Sequence, residues 1–131
     1  MHLVTVAHMI SSIRNGSLAG LKFVYVKSSR LVTNMLKALK RDGYIADYSF
    51  ESDRAYHSKV FLKYDSKGIP VIRFIQQYSK PSRSIYASSN KFKTTEQYST
   101  LLVSTSKLGV VSHIDARKAG VGGLILCEVA A

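Results

Sequence analysis

The residues of this chain best suited to chemistry are Ser104-Thr105-Ser106-Lys107, three consecutive hydroxyls followed by an ammonium. Ser104 and Lys107 have the S-x-x-K spacing with which a lysine can activate a serine nucleophile for acyl transfer. Such a site also needs an S-D-N element and a K-T-G strand, neither of which occurs here, and a much longer chain to enclose it. The acyl-transfer reading is therefore set aside. A second reading is purely structural, because serine and threonine hydroxyls routinely cap backbone groups in turns. A third is recognition of folded RNA. Hydroxyls can donate to and accept from ribose 2′-hydroxyls and base edges while a lysine neutralises phosphate, and RNA is read through those features because its A-form major groove is too narrow for side chains. Residue types alone leave the second and third readings open.

Other segments add compatible groups. Lys80-Pro-Ser-Arg-Ser-Ile-Tyr86 brings Lys80, Arg83 and Tyr86 close together in sequence. Tyr86 could stack on an exposed nucleotide, a contact worth about 1–3 kcal/mol per base, or be a half-buried strand tyrosine. Lys27-Ser28-Ser29-Arg30 places hydroxyls and a guanidinium ahead of an apolar stripe of helical spacing, which suits a phosphate at a helix N-terminus as well as simple capping. Gly120, Gly122 and Gly123 have the wrong spacing for a dinucleotide fingerprint and lead into a strand, where that motif demands a helix. Gly120 is expected to cap a helix. Glu128 is expected either to position a neighbouring lysine or amide, or to stand solvated. His2, His8, His57 and His113 are scattered surface or helix residues without metal-site spacing, so no metal and no cofactor is expected.

These residues need elements to position them. Leu3, Val6, Met9, Ile10 and Ile13 predict a first amphipathic helix stopping at Asn15-Gly16. Lys22–Lys27 predicts a strand, and Ser28-Ser29 opens a second helix that Asp42-Gly43 ends. Alternation predicts strands at Tyr44–Phe50 and Lys59–Tyr64, joined by a polar connection over 50–58. After the turn Asp65–Gly68, strands are expected at Val71–Ile75, Ser82–Ala87, Thr100–Val103 and Leu124–Val129. A helical turn is expected near Thr94–Tyr98, and Ser112-His-Ile-Asp115 has the form of a capping box opening a short helix. The fold class is α+β in two small packed lobes. Residues 1–66 form a helix-strand-helix-strand-strand lobe, and 67–131 a mostly β lobe with a short helix.

Charge points to the partner. The chain of 131 residues carries 19 Lys and Arg against 8 Asp and Glu, a net charge of +11, which makes a polyanion the expected ligand. The apolar runs are shorter than the roughly 20 residues that a spanning helix needs, so no membrane role is expected. Cys127 lies within an apolar run and reads as a buried, inert thiol. No acid precedes Asp42, a bias shared by RNA-facing surfaces and mitochondrial import signals.

From Ile13-Arg14-Asn15-Gly16 through Lys27-Ser-Ser-Arg30 and Lys80–Tyr86 to Ser104–Lys107, the chain closely resembles the small-subunit ribosomal protein eight family, in its bacterial-type branch. The resemblance implies a non-enzymatic, primary binder of the central domain of small-subunit rRNA, with neighbouring small-subunit proteins as partners and no small-molecule substrate. It implies rRNA contacts for Ser104, Thr105, Ser106, Lys107, Tyr86, Arg83, Lys80, Arg14, Asn15, Ser28, Ser29 and Arg30, with Gly122 and Gly123 giving close backbone approach. The alternative is a free-standing regulatory protein that binds structured RNA. Departures from the family pattern stand at His8, where an acid is usual, at Lys27, where a proline is usual, and at Ser84, with Arg83 one residue before the usual arginine. Leu108 is inserted between the lysine and the glycine of the signature. These departures and the acid-free start point to a divergent, mitochondrial member more than to a bacterial one.

Overall fold

The computed structural model describes residues 3–51, 57–95 and 98–131. Helix α1 (Leu3–Ala19) buries Leu3, Val6, Met9, Ile10 and Ile13, the stripe read from the sequence. It runs past Asn15-Gly16, contrary to the expected stop. A Cβ on Gly16 would collide with Val24 Cγ1 and stand 3.1 Å from Leu62 Cδ1, so this glycine lets the helix lie close against the sheet. Chain reversal falls instead to Gly20, at φ 72°.

Strand β1 (Phe23–Lys27) leads to helix α2 (Arg30–Arg41), which starts where Ser29 accepts the Val32 N–H at 3.1 Å and stops at Asp42. Val32, Met35, Leu36, Ala38 and Leu39 form its buried face. Strands β2 (Asp47–Glu51) and β3 (His57–Phe61) complete an antiparallel sheet of order β1-β3-β2. The middle of the polar connection between them lies outside the described residues.

The second sheet has order β4-β8-β6-β7, with β5 pairing the start of β8. Its strands are β4 (Phe74–Gln77), β5 (Tyr86–Ala87), β6 (Thr100–Thr105), β7 (Gly109–Ser112) and β8 (Gly123–Ala130). Helix α3 (His113–Ala119) is capped by Ser112 and ends at Gly120 in the left-handed region. Four expectations shift in this sheet. The strand placed at 71–75 pairs only from Phe74, that placed at 82–87 is reduced to Tyr86–Ala87, β6 runs on through Ser104 and Thr105, and β7 has no counterpart in the sequence reading. The helical turn expected near 94–98 falls partly on residues 96 and 97, outside the described residues.

Packing joins the two sheets. The larger core unites Val6, Ile13, Leu36 and Val60 with Leu102, Leu124, Leu126 and Val129, while Phe92, Leu101, Val103, Ala116 and Ile125 form a smaller core beneath α3. The architecture is the expected α+β, helix-rich first and strand-rich later.

Candidate nucleic-acid interface

Three residues, Ser106–Leu108, connect β6 to β7, and Gly109 takes φ 73° to close the hairpin. Thr105 is spent on the turn itself. Its hydroxyl donates to the Gly109 carbonyl at 2.9 Å and accepts the Leu108 N–H at 2.9 Å. Ser104 is half-buried in the strand, whereas Ser106, Lys107 and the inserted Leu108 are exposed. The hydroxyls are thus not three alike in a loop: Thr105 shapes the turn that presents Ser106 and Lys107 to solvent.

Tyr86 is 69% exposed, which removes the reading as a half-buried strand tyrosine. It pairs with Leu124 on β8, and Ser104 pairs with the same Leu124 from β6. Cross-strand partners share a face, so the tyrosine and the serine belong to one row at one end of the sheet. Beside β5, Lys80 and Arg83 close a tight turn through two backbone hydrogen bonds, Lys80 N–H to Arg83 O at 2.8 Å and Arg83 N–H to Lys80 O at 2.9 Å. Both side chains border a shallow cleft of about 280 Å³ with Gln76, Gln77, Tyr78 and Ile85. Ser79, fully buried, secures this turn: its hydroxyl accepts the Ile85 N–H at 3.0 Å and donates to the Ile125 carbonyl. Nothing local in the sequence reveals this role of Ser79, whose partner lies 46 residues away.

Gly122 and Gly123 have their own structural cause. A Cβ on Gly122 would collide with the Ala87 carbonyl and lie 2.9 Å from Ser88 Cα; one on Gly123 would collide with the Ser104 carbonyl and lie 2.9 Å from Val103 Cγ1. The two glycines let β8 fit between β5 and β6, which is what brings Tyr86 and Ser104 into one row.

Glu128 takes the first of its two expected roles, holding a neighbouring amide, that of Thr95, and does not stand solvated. It is fully buried, and its carboxylate accepts the Tyr78 hydroxyl at 2.6 Å, the Thr95 N–H at 3.0 Å and hydroxyl, and the Ser99 hydroxyl. Burial alone would push its pKa up, but the hydrogen bonds from Ser99, Tyr78 and Thr95 outweigh burial and hold it below the ordinary value. Burial, reinforced by this carboxylate, pushes Tyr78 up to about 12. The Cys127 thiol is fully buried, and burial with Glu128 beside it likewise pushes its pKa up to about 12, in keeping with an inert thiol. His113 is a helix residue, the first of α3, and it is buried; its Nδ1 accepts the Leu101 N–H at 3.1 Å, and burial and the Arg117 charge lower its pKa against the opposing pull of Glu128. Glu128 and its donors tie residues 78, 95 and 99 to β8 and so brace the interface from behind.

The N-terminal candidates lie elsewhere. Arg14 is exposed but donates to the Ile75 carbonyl, tying α1 to β4. Ile75 pairs with Val129, five positions along β8 from Leu124, which is about 16 Å away at the rise of a strand. Asn15 is exposed on the same helix. Ser28 shares a hydrogen bond with Ser58, Ser29 caps α2, and Arg30 stands exposed in the first helical turn. Arg14 also lines a concavity of about 1100 Å³, with Leu18, Ile69, Ile72 and Arg73. That groove contains none of the residues of the Tyr86–Ser104 row.

Among the described residues no cluster of His, Cys, Asp or Glu could hold a metal, and no helix is long and apolar enough to cross a membrane. The sheet end presents together the exposed Tyr86 ring, the half-buried Ser104 and the exposed Ser106 and Lys107. Comparison with known proteins gives that row its context. Residues 5–130 match ribosomal protein S8. The chain is 40% identical over 126 residues to the small ribosomal subunit protein uS8 of Buchnera aphidicola (strain 5A), covering 95% of each chain. It is 42% identical over 122 residues to that of Campylobacter hominis, 92% of each chain, and 38% identical over 126 residues to that of Geobacter sulfurreducens, 95% of each chain. Similarity at this level along nearly the whole of both chains means that this chain belongs to the ribosomal protein S8 family, whose members are non-enzymatic structural constituents of the small ribosomal subunit.

Proposed function

We infer that the protein binds the central domain of the small-subunit rRNA during assembly and locks its helices in place, working through the end of the second sheet. The observation that carries this reading is the pairing of both Tyr86 and Ser104 with Leu124, next to a hairpin that leaves Ser106 and Lys107 in solvent. In this reading Ser104 and Ser106 meet ribose hydroxyls and base edges, Tyr86 meets an unstacked nucleotide, and Lys80, Arg83 and Lys107 neutralise phosphates. Thr105, Gly122 and Gly123 hold these groups in register. Ser28, Ser29 and Arg30 offer a separate phosphate contact at the start of α2, Arg14 and Asn15 a peripheral one, and adjacent small-subunit proteins are the further partners.

Binding to a central-domain rRNA fragment across a salt series tests the assignment. Ser106→Ala should weaken the complex at every salt concentration, and Lys107→Ala should make the salt slope shallower by about one. Equal, wholly salt-driven binding of wild type and both variants to any RNA would reduce the interface to a basic surface.

We further propose that the protein works in mitochondrial ribosomes. Support comes from the acid-free stretch before Asp42 and the departures at His8, Lys27 and Leu108. Residues 1–22 fused to a reporter should direct it to mitochondria; a reporter left in the cytosol counts against this placement.

A further inference from the structure

The three-stranded sheet has a second face that the C-terminal interface does not use. Helices α1 and α2 pack on one side, over the buried Val26, Ser58 and Val60. Because side chains alternate along a strand and cross-strand partners share a face, the register sets three rows on the other side. Phe23, Phe61 and Asp47 form one row, Tyr25, Lys59 and Ser49 the next, and Lys27, His57 and Glu51 the third. The aromatic side chains form a cluster. Phe23 meets Tyr25 edge-on with centroids 5.6 Å apart and meets Phe61 at 6.1 Å. The Lys59 ammonium lies over them, 4.1 Å from the Phe23 centroid and 5.3 Å from that of Phe61.

We propose that this face is a second RNA-binding surface, which takes an unpaired nucleotide segment by stacking bases on the Phe23, Tyr25 and Phe61 cluster and seating phosphates on Lys59 and Lys27. The proposal rests on the chain being a constituent of the small ribosomal subunit, and not on the roles given to the C-terminal loops. Aromatic rings interleaved with lysines on an open sheet face suit single strands, because every unpaired base offers a π-face while the cations follow the backbone. A duplex offers no such surface, since its bases are stacked on one another. Charge favours RNA over a protein partner. Lys22, Lys27 and Lys59 lie on or beside the face, while Asp47, one of the two acids among the described residues of its strands, is paired with Lys40 at 3.0 Å. Lys59 covers the Phe23 ring in the free protein, so binding exchanges a cation–π contact for a phosphate contact and opens the ring to a base.

The test begins with the unaltered protein. A short oligouridine carrying 5-iodouracil is irradiated in its presence and the cross-linked peptides are mapped. Cross-links at Phe23, Tyr25 or Phe61 are expected, and cross-links confined to other segments overturn the proposal. The double variant Phe23→Leu, Tyr25→Leu keeps the face apolar and should weaken oligouridine binding about tenfold or more; unchanged affinity overturns the proposal. A central-domain hairpin titrated in parallel separates the two interfaces. Hairpin binding without cross-links on the sheet defeats this inference alone, while cross-links on the sheet without hairpin binding defeat only the reading of the C-terminal loops. A double variant that binds oligouridine normally but assembles into subunits lacking a neighbouring protein would assign the face to that protein and overturn the RNA reading.

Discussion

Tyr86 and Ser104 flank Leu124 from opposite sides of β8, so an exposed ring and a half-buried hydroxyl are fixed two strand spacings apart by one residue of the strand between them. Strands lie about 4.8 Å apart, which puts the two backbones roughly 10 Å from each other. That span suits one ligand touching both. Tyr86→Ala should therefore weaken binding to the rRNA fragment by about 1–3 kcal/mol without lowering thermal stability, because the lost ring is exposed. Tyr86→Phe should retain most of the affinity if the ring stacks and lose it if the hydroxyl is what binds. Titration of both variants distinguishes these cases.

Glu128 should make the fold sensitive to acid. Its pKa is lower in the folded protein than the ordinary value of 4.5, so the unfolded chain takes up its proton first as pH falls. The stability it contributes is fully present above about pH 4.5 and is lost as pH falls through the folded value. Glu128→Gln should cost about 1–3 kcal/mol at neutral pH, since a buried amide cannot accept all the donors that the carboxylate satisfies. It should also flatten the acid limb of stability against pH. Denaturant unfolding at several pH values measures both.

His113 acts in a higher window. Its folded pKa is depressed, so protons favour the unfolded chain, and its contribution is intact above about pH 6.5 and declines below it. Protonation of Nδ1 would also turn the acceptor of the Leu101 N–H into a second donor. His113→Asn, which can keep an acceptor oxygen there without titrating, should show a smaller fall in thermal midpoint between pH 7.5 and 5.5 than the wild type.

Gly123→Ala should destabilise the protein by about 1–3 kcal/mol, the cost of forcing a methyl group into a packed site. The methyl group would meet the Ser104 carbonyl, and β6 must move to accommodate it. RNA affinity should then fall even where the variant is fully folded, because the row shared by Tyr86 and Ser104 is broken. Measuring binding well below the unfolding midpoint separates this loss from instability.

Features set by nearby residues were legible in the sequence. Ser29 and Asp42 mark the ends of α2, Ser112 and Gly120 those of α3, and the apolar stripe of α1 is buried as expected. What the sequence hid depends on distant partners. Gly16 reads as a stop, yet its neighbours are Val24 and Leu62, so the helix continues. Glu128 reads equally as a solvated charge or as a residue that positions a neighbouring lysine or amide, because its donors come from residues 78, 95 and 99. Gln76 and Gln77 obscure β4, which is recognisable only by its pairing with β8. In the candidate interface, residue types revealed Ser106, Lys107 and Tyr86, but not that the Thr105 hydroxyl is engaged within its own turn.

The position of β8 within its sheet has a bearing on synthesis. This strand lies between β4 and β6 and also pairs with β5, yet it follows all of them in the chain. During translation β4 and β5 emerge before the strand they pair with, and β6 can pair with β7 alone until residues 123–130 follow. The Tyr86–Ser104 row therefore cannot exist on a nascent chain lacking that segment, and under the proposed function such a chain has no assembled surface to offer.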